Sequence, residues 1–180
     1  MKNFKKVILA GAMLLSVGTM SVPTASVSAA KAKCNTNVTS TQSNTSKKFT
    51  SGNLCYKVTG NNTCTVTGLS SQGKKSSSCS IPTSVTCNGK KYKVTSIANN
   101  AFKNCDNLKS VKVSNCVSNI GANAFKGCDS LKNVTLGKGV SNLGSNAFSS
   151  CNSLKSVNCG STIKTLGSNC FGNSTCRVVR

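Results

Sequence analysis

The two acidic residues of this 180-residue chain, Asp106 and Asp129, lie 23 positions apart. Paired carboxylates about 5–5.5 Å apart hydrolyse glycosidic bonds in retaining glycosidases, so stacked repeats could bring these two to a catalytic distance. The next residue at the same interval is Asn152. A position that accepts Asp or Asn after a turn indicates local hydrogen bonding instead. No substrate-positioning aromatic residues accompany the pair, so the sequence predicts no catalytic residue and keeps a hydrolase only as a third class of function.

The chain lacks the residue types and spacings that other common catalytic and metal-binding sites require. The chain has no histidine, so the usual base for a serine or cysteine nucleophile is missing. It also has no Cys-x-x-Cys pair, which makes a zinc site an unsuitable interpretation of its cysteines. Glycine-rich phosphate loops are absent as well. The sequence therefore predicts a non-enzymatic protein that has neither a metal site nor a cofactor.

Three lysines recur at the same interval and form the best candidate for a binding site. We call them the lysine ladder: Lys109, Lys132 and Lys155. Each directly follows a leucine that begins a short predicted strand, so stacked strands would align the three charges along one face of a sheet. The alternative is that all three are solvated residues that only keep the protein soluble.

The ladder belongs to a repeat that covers much of the chain. A fixed interval of 20 to 50 residues is typical of a solenoid, and the sequence predicts an α/β repeat with 23-residue units. In each unit a short strand such as residues 131–136 is followed by a helical or 3₁₀ turn such as residues 146–148. That turn carries a phenylalanine, and we expect one internal column of rings: Phe102, Phe125, Phe148 and Phe171.

A cysteine follows each of the first three phenylalanines by three residues: Cys105, Cys128 and Cys151. Twelve cysteines in an exported chain would ordinarily indicate a disulfide framework. Free cysteine is also readily buried as a small apolar side chain, and the repeat favours that interpretation for this column. We expect these three to be reduced and buried. Any disulfides should lie among the cysteines near the chain ends and those of the predicted N-terminal cap (residues 52–93). One or two bridges within the cap are consistent with the sequence, and their connectivity is open.

Residues 52–93 are predicted to form a β-rich N-terminal cap, and residues 94–180 the repeats. Two hairpins are expected in the cap, the second around Asn88-Gly89, the strongest short turn signal because both residues tolerate positive φ. Ile81 takes the place that Leu136 has in a later unit, which makes the second hairpin an insertion into the first unit. The unit after Phe171 is degenerate, as either a C-terminal cap or a truncated repeat.

Residues 120–128, Ile-Gly-Ala-Asn-Ala-Phe-Lys-Gly-Cys, with Leu131, Val134 and Leu136 after them, resemble the BspA-like (Treponema-type) leucine-rich repeat. The resemblance covers about residues 94–173. It implies a curved leucine-rich-repeat solenoid that is secreted or displayed on the cell surface, with adhesion or protein binding as functions of some members. This chain differs in being short, rich in cysteine and without a visible anchor.

The N-terminus reads as a secretory signal peptide over residues 1–30, with basic, apolar and small-residue cleavage segments in order. Residues 31–51 are Ser, Thr, Asn and Lys with little apolar content and are expected to be a flexible leader. We expect no membrane span and a protein that is secreted or surface-associated, in the style of a Gram-positive bacterium.

Charge limits the partners of the mature chain. Without residues 1–30 it has 20 basic and two acidic residues, a net charge of +18, which favours anionic partners. Tryptophan is absent and aromatic residues make up 4%, which argues against specific nucleic-acid binding. The leading hypothesis is an adhesion module that binds an extracellular protein or glycan. The alternative is a structural protein of the cell wall, held on anionic polymers by net charge.

Overall fold

The computed structural model describes residues 47–159, 162–172 and 177–179, the last of these by backbone only. The expected signal peptide and residues 31–46 of the expected leader lie outside the described residues, as do Cys34 and Cys176. The described part consists of short strands joined by turns, with a 3₁₀ helix at Gly73–Lys75. In chain order the strands are β1 (Lys48–Ser51), β2 (Leu54–Gly60), β3 (Thr63–Leu69), β4 (Ser78–Ile81), β5 (Ser84–Cys87), β6 (Lys90–Ile97), β7 (Ser110–Val113), β8 (Asn119–Ile120), β9 (Asn133–Thr135), β10 (Asn142–Leu143), β11 (Ser156–Asn158), β12 (Thr165–Leu166) and β13 (Arg177–Val179).

The strands form two sheets. One has five parallel strands in the order β13-β11-β9-β7-β4. The other has eight strands in the order β1-β2-β3-β6-β8-β10-β12, with β5 paired to β6. Where repeats stack, residues at equivalent positions pair in register, as Asn119, Asn142 and Thr165 do. Inward-facing residues of both sheets meet in one hydrophobic cluster, so the two outer faces point away from a shared core.

The cap contains both predicted hairpins. Strands β2 and β3 pair antiparallel, and so do β5 and β6. The second turn has φ of 50° at Asn88 and 75° at Gly89, the left-handed backbone that an Asn-Gly hairpin turn requires. Ile81 pairs with Val113 of the next unit, so β4 is a repeat strand, and the hairpin is inserted after it.

Strand β1 corrects the expected boundary of the leader. Residues 31–51 were expected to lack regular structure, yet Lys48–Ser51 pair antiparallel with β2. Phe49 is the reason: its ring stacks on Tyr56 with centroids 5.2 Å apart and lies 5.8 Å from the ring of Tyr92. One aromatic residue in a polar segment is a weak sequence signal, because the rings that bury it come from β2 and β6.

The expected helical or 3₁₀ turn around each repeat phenylalanine is not a helix in the described residues. Alternate amides there donate to carbonyls of the next unit, at 2.8–2.9 Å: those of Asn123, Phe125 and Gly127. The amides between them donate within their own turn. A helix needs consecutive N–H groups for bonds along its own axis, so this ladder between units excludes it.

The phenylalanine rings stack face to face along the units. Phe102, Phe125 and Phe148 are fully buried. Ring centroids of successive pairs lie 4.8 and 5.1 Å apart with planes within 3° of parallel. Phe171 continues the stack at 5.8 Å from Phe148, and it is half-buried because it lies at the end of the column.

Candidate binding face

The lysine ladder lies at the start of successive strands of the five-stranded sheet. Lys109, Lys132 and Lys155 directly precede β7, β9 and β11, and all three are exposed. The amide of Lys132 donates to the carbonyl of Lys109 at 2.8 Å, and the amide of Lys155 donates to that of Lys132 at 3.2 Å. The backbone therefore holds the three lysines on adjacent units, about 4.8 Å apart in the direction of the strand-to-strand hydrogen bonds.

The outer face of the same sheet continues the polar surface. Val111, Val134 and Val157 face the core, and the residues that follow them point outward. The outward row runs through Ser80, Lys112, Thr135 and Asn158, which pair in register. With the ladder, this row presents ammonium, hydroxyl and amide groups, which bind anionic groups and hydroxyl-rich surfaces by charge and hydrogen bonding.

The acidic column is a hydrogen-bonding position. Asn152 Nδ2 donates to Asp129 Oδ1 at 2.8 Å, and both residues are exposed. This hydrogen bond links two neighbouring units. The partner of Asp129 in it is an amide and not a second carboxylate. Asp106 instead borders a cavity of about 410 Å³, together with Lys74 and Cys105.

The Cys105 thiol in that cavity is not activated as a nucleophile. Burial raises its pKa, and the nearby Lys74 charge lowers it by less. A thiol with a raised pKa is protonated at neutral pH, whereas a catalytic cysteine needs the thiolate. The lining of the cavity supplies no histidine.

Two repeat cysteines form hydrogen bonds between units. Cys128 Sγ donates to the Phe102 carbonyl at 2.9 Å, and Cys151 Sγ donates to the Phe125 carbonyl at 3.0 Å. Both side chains are buried, and burial raises the pKa of Cys128 to about 12. Cys105 corrects the expectation of a uniformly buried column. It is half-buried and lines the cavity that Asp106 and Lys74 also border.

Cysteines of the cap are mostly thiols in this structure. Cys55, Cys64 and Cys79 are free, so the described cap residues contain no bridge among these three. Cys87 is disulfide-bonded.

Alkylation under native conditions should distinguish the repeat cysteines by their reactivity. We expect Cys105 to react with iodoacetamide in the folded protein, because its side chain is half-buried. Cys128, which is fully buried, should react only after unfolding. Mass spectrometry of peptides alkylated with and without denaturant measures both residues in one sample. Modification of Cys128 at the rate of Cys105 in native protein would contradict the described packing.

The part of the chain that the structure describes has neither a metal-binding cluster nor a membrane-spanning helix. No group of three or more His, Cys, Asp or Glu side chains there is placed to hold a metal ion. Within the same ranges, no helix has the length and apolarity to cross a membrane.

Sequence reasoning missed a column of asparagines that shape the turns. Each adopts positive φ between 54° and 57°, immediately before the alanine or cysteine that precedes the repeat phenylalanine. Asparagine tolerates this left-handed backbone better than most residues. The side chains also link units, since Asn169 Nδ2 donates to Asn146 Oδ1 at 2.8 Å. The signal was present as a fixed interval: Asn100, Asn123, Asn146 and Asn169.

Solved structures of bacterial leucine-rich repeat proteins share this fold. One from Bacteroides ovatus is 30% identical with a TM-score of 0.64, over 71% of this chain and 33% of that one. One from Bacteroides capillosus is 28% identical with a TM-score of 0.63, over 72% of this chain and 98% of that one. The T. pallidum leucine-rich repeat protein is 26% identical with a TM-score of 0.59, over 66% of this chain and 53% of that one. The chain thus spans about a third of the B. ovatus protein's length.

Sequence comparison gives the family. No curated protein matches the chain. The BspA type leucine rich repeat region matches in six copies over residues 73–179, more than half of the sequence. The match begins before residue 94, where the repeats were expected to start, in agreement with the pairing of β4 and β7. The chain belongs to the BspA-type leucine-rich repeat family.

Proposed function

We propose that the chain is an exported, non-enzymatic binding module that docks an extracellular protein or glycan on the outer face of its five-stranded sheet. The observation that carries the proposal is the backbone register of the lysine ladder, which places three exposed ammonium groups on adjacent units. A leucine-rich-repeat scaffold suits this role, because stacked units present a continuous surface that differs between members only in its outward residues.

Several features support this function over an enzyme. Asp129 accepts a hydrogen bond from Asn152 of the next unit, and burial raises the pKa of the Cys105 thiol. Export rests on the signal peptide that residues 1–30 predict. We place the protein outside the cell or on its surface, where anionic glycans and polymers are available to a chain with 20 mature basic residues.

Neutralising the ladder tests the proposal. We expect the variant K109Q/K132Q/K155Q to lose between about threefold and about a hundredfold in affinity, because each exposed ion pair contributes about 0.2–1 kcal/mol. The mature protein and the variant are compared for retention on an extracellular-matrix extract and on purified wall polymer. The comparison uses 0.15 M salt, where the Debye length is about 8 Å and diffuse attraction is largely screened.

A charge-matched control separates a shaped face from diffuse attraction. The variant K75Q/K138Q/K164Q removes three exposed lysines that lie outside the ladder, and we expect it to bind like the parent protein. Equal losses in both variants would favour the alternative, a wall protein held by net charge. If the ladder variant were retained as strongly as the parent protein, the three lysines would be ordinary solvated residues.

A further inference from the structure

A groove in the cap carries a second lysine cluster. It is a shallow, open depression of about 630 Å³. We call it the cap groove. It is lined by Asn62, Thr83, Ser84, Gly89, Lys90, Lys91, Lys93 and Cys116. These residues come from the turn between β2 and β3, from the inserted hairpin and from the loop after β7.

Strand geometry places two of these lysines side by side. Lys91 and Lys93 alternate with the buried residues Tyr92 and Val94 on β6, so both point outward, roughly 7 Å apart. Lys93 pairs with Ser84 on one side and with Thr63 on the other. Residues with hydroxyl side chains therefore lie beside Lys93 on both neighbouring strands.

The third lysine of the groove lies two residues before Tyr92 on β6, on the strand face opposite to Lys91 and Lys93. Lys90 Nζ lies 5.6 Å from the centroid of the Tyr92 ring, a distance at which a cation is attracted to an aromatic face. No carboxylate offsets the charges of Lys91 and Lys93, because the chain's two acidic residues, Asp106 and Asp129, do not line the groove. Like charges held this close repel one another, and a bound anion relieves that repulsion.

We propose that the cap groove binds a segment of an acidic polysaccharide, a chain of sugars that carry carboxylate or sulfate groups. Lysines meet the anionic groups, while Thr83, Ser84 and Asn62 offer hydrogen bonds to sugar hydroxyls. The lining has no arginine fork and no aromatic platform, the features that favour nucleic-acid phosphates and bases. The chemistry thus points to a hydroxyl-rich polyanion.

The groove is independent of the lysine ladder in position. The ladder borders the five-stranded sheet, whereas the groove opens on the outer side of β6 in the eight-stranded sheet. One molecule can then contact two segments of polymer, since the outer faces of the two sheets point away from one core. The inference extends the proposed function, on which it rests for the anionic character of the partner, and it can be tested without the ladder.

Cys116 is a reporter inside the groove. It is a free, half-buried thiol that lines the groove, so bound polymer should shield it from iodoacetamide. Cys55 is also free and half-buried but lies outside the groove, which makes it an internal control. Peptide mass spectrometry follows both alkylation rates in 0.15 M salt, with heparin and polygalacturonate as the acidic polysaccharides.

We expect either polysaccharide, at about ten times its Kd, to slow alkylation of Cys116 about tenfold, because only the unoccupied groove reacts. The rate at Cys55 should not change. Protection should disappear in K91Q/K93Q, a variant that keeps Lys90 because of its contact with Tyr92. It should persist in the charge-matched control K138Q/K164Q and in the ladder variant K109Q/K132Q/K155Q.

The outcomes separate this inference from the proposed function. Protection of Cys116 in the ladder variant supports the groove even if the ladder binds nothing. Loss of protection in the ladder variant, or undiminished protection in K91Q/K93Q, would overturn the groove as a site. Equal protection by inorganic polyphosphate, which has charge but no sugar hydroxyls, would overturn the assignment to a polysaccharide. Equal shielding of Cys55 would show non-specific coating and would also overturn it.

Discussion

Replacing Phe125 with alanine should lower the free energy of unfolding by about 3–5 kcal/mol. Its ring is fully buried and stacks on two neighbours, with centroids 4.8 Å from Phe102 and 5.1 Å from Phe148. The alanine side chain leaves a cavity that stacked units cannot close without breaking the hydrogen bonds between them. Because a domain is stable by only about 5–15 kcal/mol, this one change removes a large share of the total. Urea denaturation followed by circular dichroism measures it.

Phe171 provides the matched control for that prediction. Its ring ends the column, is half-buried and lies 5.8 Å from its neighbour. Phe171→Ala should therefore cost clearly less than Phe125→Ala, since water already reaches part of the ring. A Phe125→Ala protein with the stability of the parent would contradict the internal column, as would equal losses in the two variants.

Alkaline pH should destabilise the fold strongly. Burial raises the pKa of Cys64 to about 11 and the pKa values of Cys79 and Cys128 to about 12. Burial, with smaller contributions from nearby thiols, also raises the pKa of the Tyr56 phenol. In the unfolded chain a thiol ionises near pH 9. The stability gained by keeping these groups neutral is thus complete below about pH 9 and is lost as pH rises through the folded pKa values.

The expected slope is large because several thiols act together. Each thiol that is ionised only in the unfolded chain lowers the free energy of unfolding by about 1.4 kcal/mol per pH unit. Three such thiols should lower it by several kcal/mol between about pH 8 and about pH 11. Deprotonation of lysines reduces charge repulsion and acts in the opposite direction, so it cannot produce this fall. Urea titrations at successive pH values measure the slope.

The substitution Cys128→Ser measures the contribution of one buried thiol to this pH dependence. Cys128→Ser keeps a donor for the Phe102 carbonyl and removes the titrating group, so its slope should be shallower by about 1.4 kcal/mol per pH unit. A slope that is unaffected by Cys128→Ser would contradict the raised pKa of this buried thiol.

The repeat made most of the fold predictable. Residues such as Phe102 and Phe125 recur at a fixed interval, and an interval sets the register between units whatever the local conformation. The turn conformation was not predictable in the same way. Asparagine, alanine and phenylalanine suit a helical turn, and only the neighbouring unit shows that the amides of Asn123 and Phe125 donate outside their own turn.

Contacts between distant segments account for the other differences. Phe49 gives little indication of a strand until Tyr56 and Tyr92 are brought beside it. The lysine ladder could be recognised in the sequence as a candidate site because its members recur every 23 residues. The cap groove was not, because Asn62, Thr83 and Cys116 come from segments with no common pattern.

Lysine footprinting tests the central claim, that the lysine ladder is a binding surface. The mature chain is acetylated free and bound to the matrix extract or wall polymer that retains it at 0.15 M salt, and each lysine is quantified by mass spectrometry. We predict that Lys109, Lys132 and Lys155 are protected together on binding, while the exposed lysines Lys138 and Lys164 react as in the free protein. Unchanged acetylation of all three ladder lysines in the bound chain would contradict the proposed binding face.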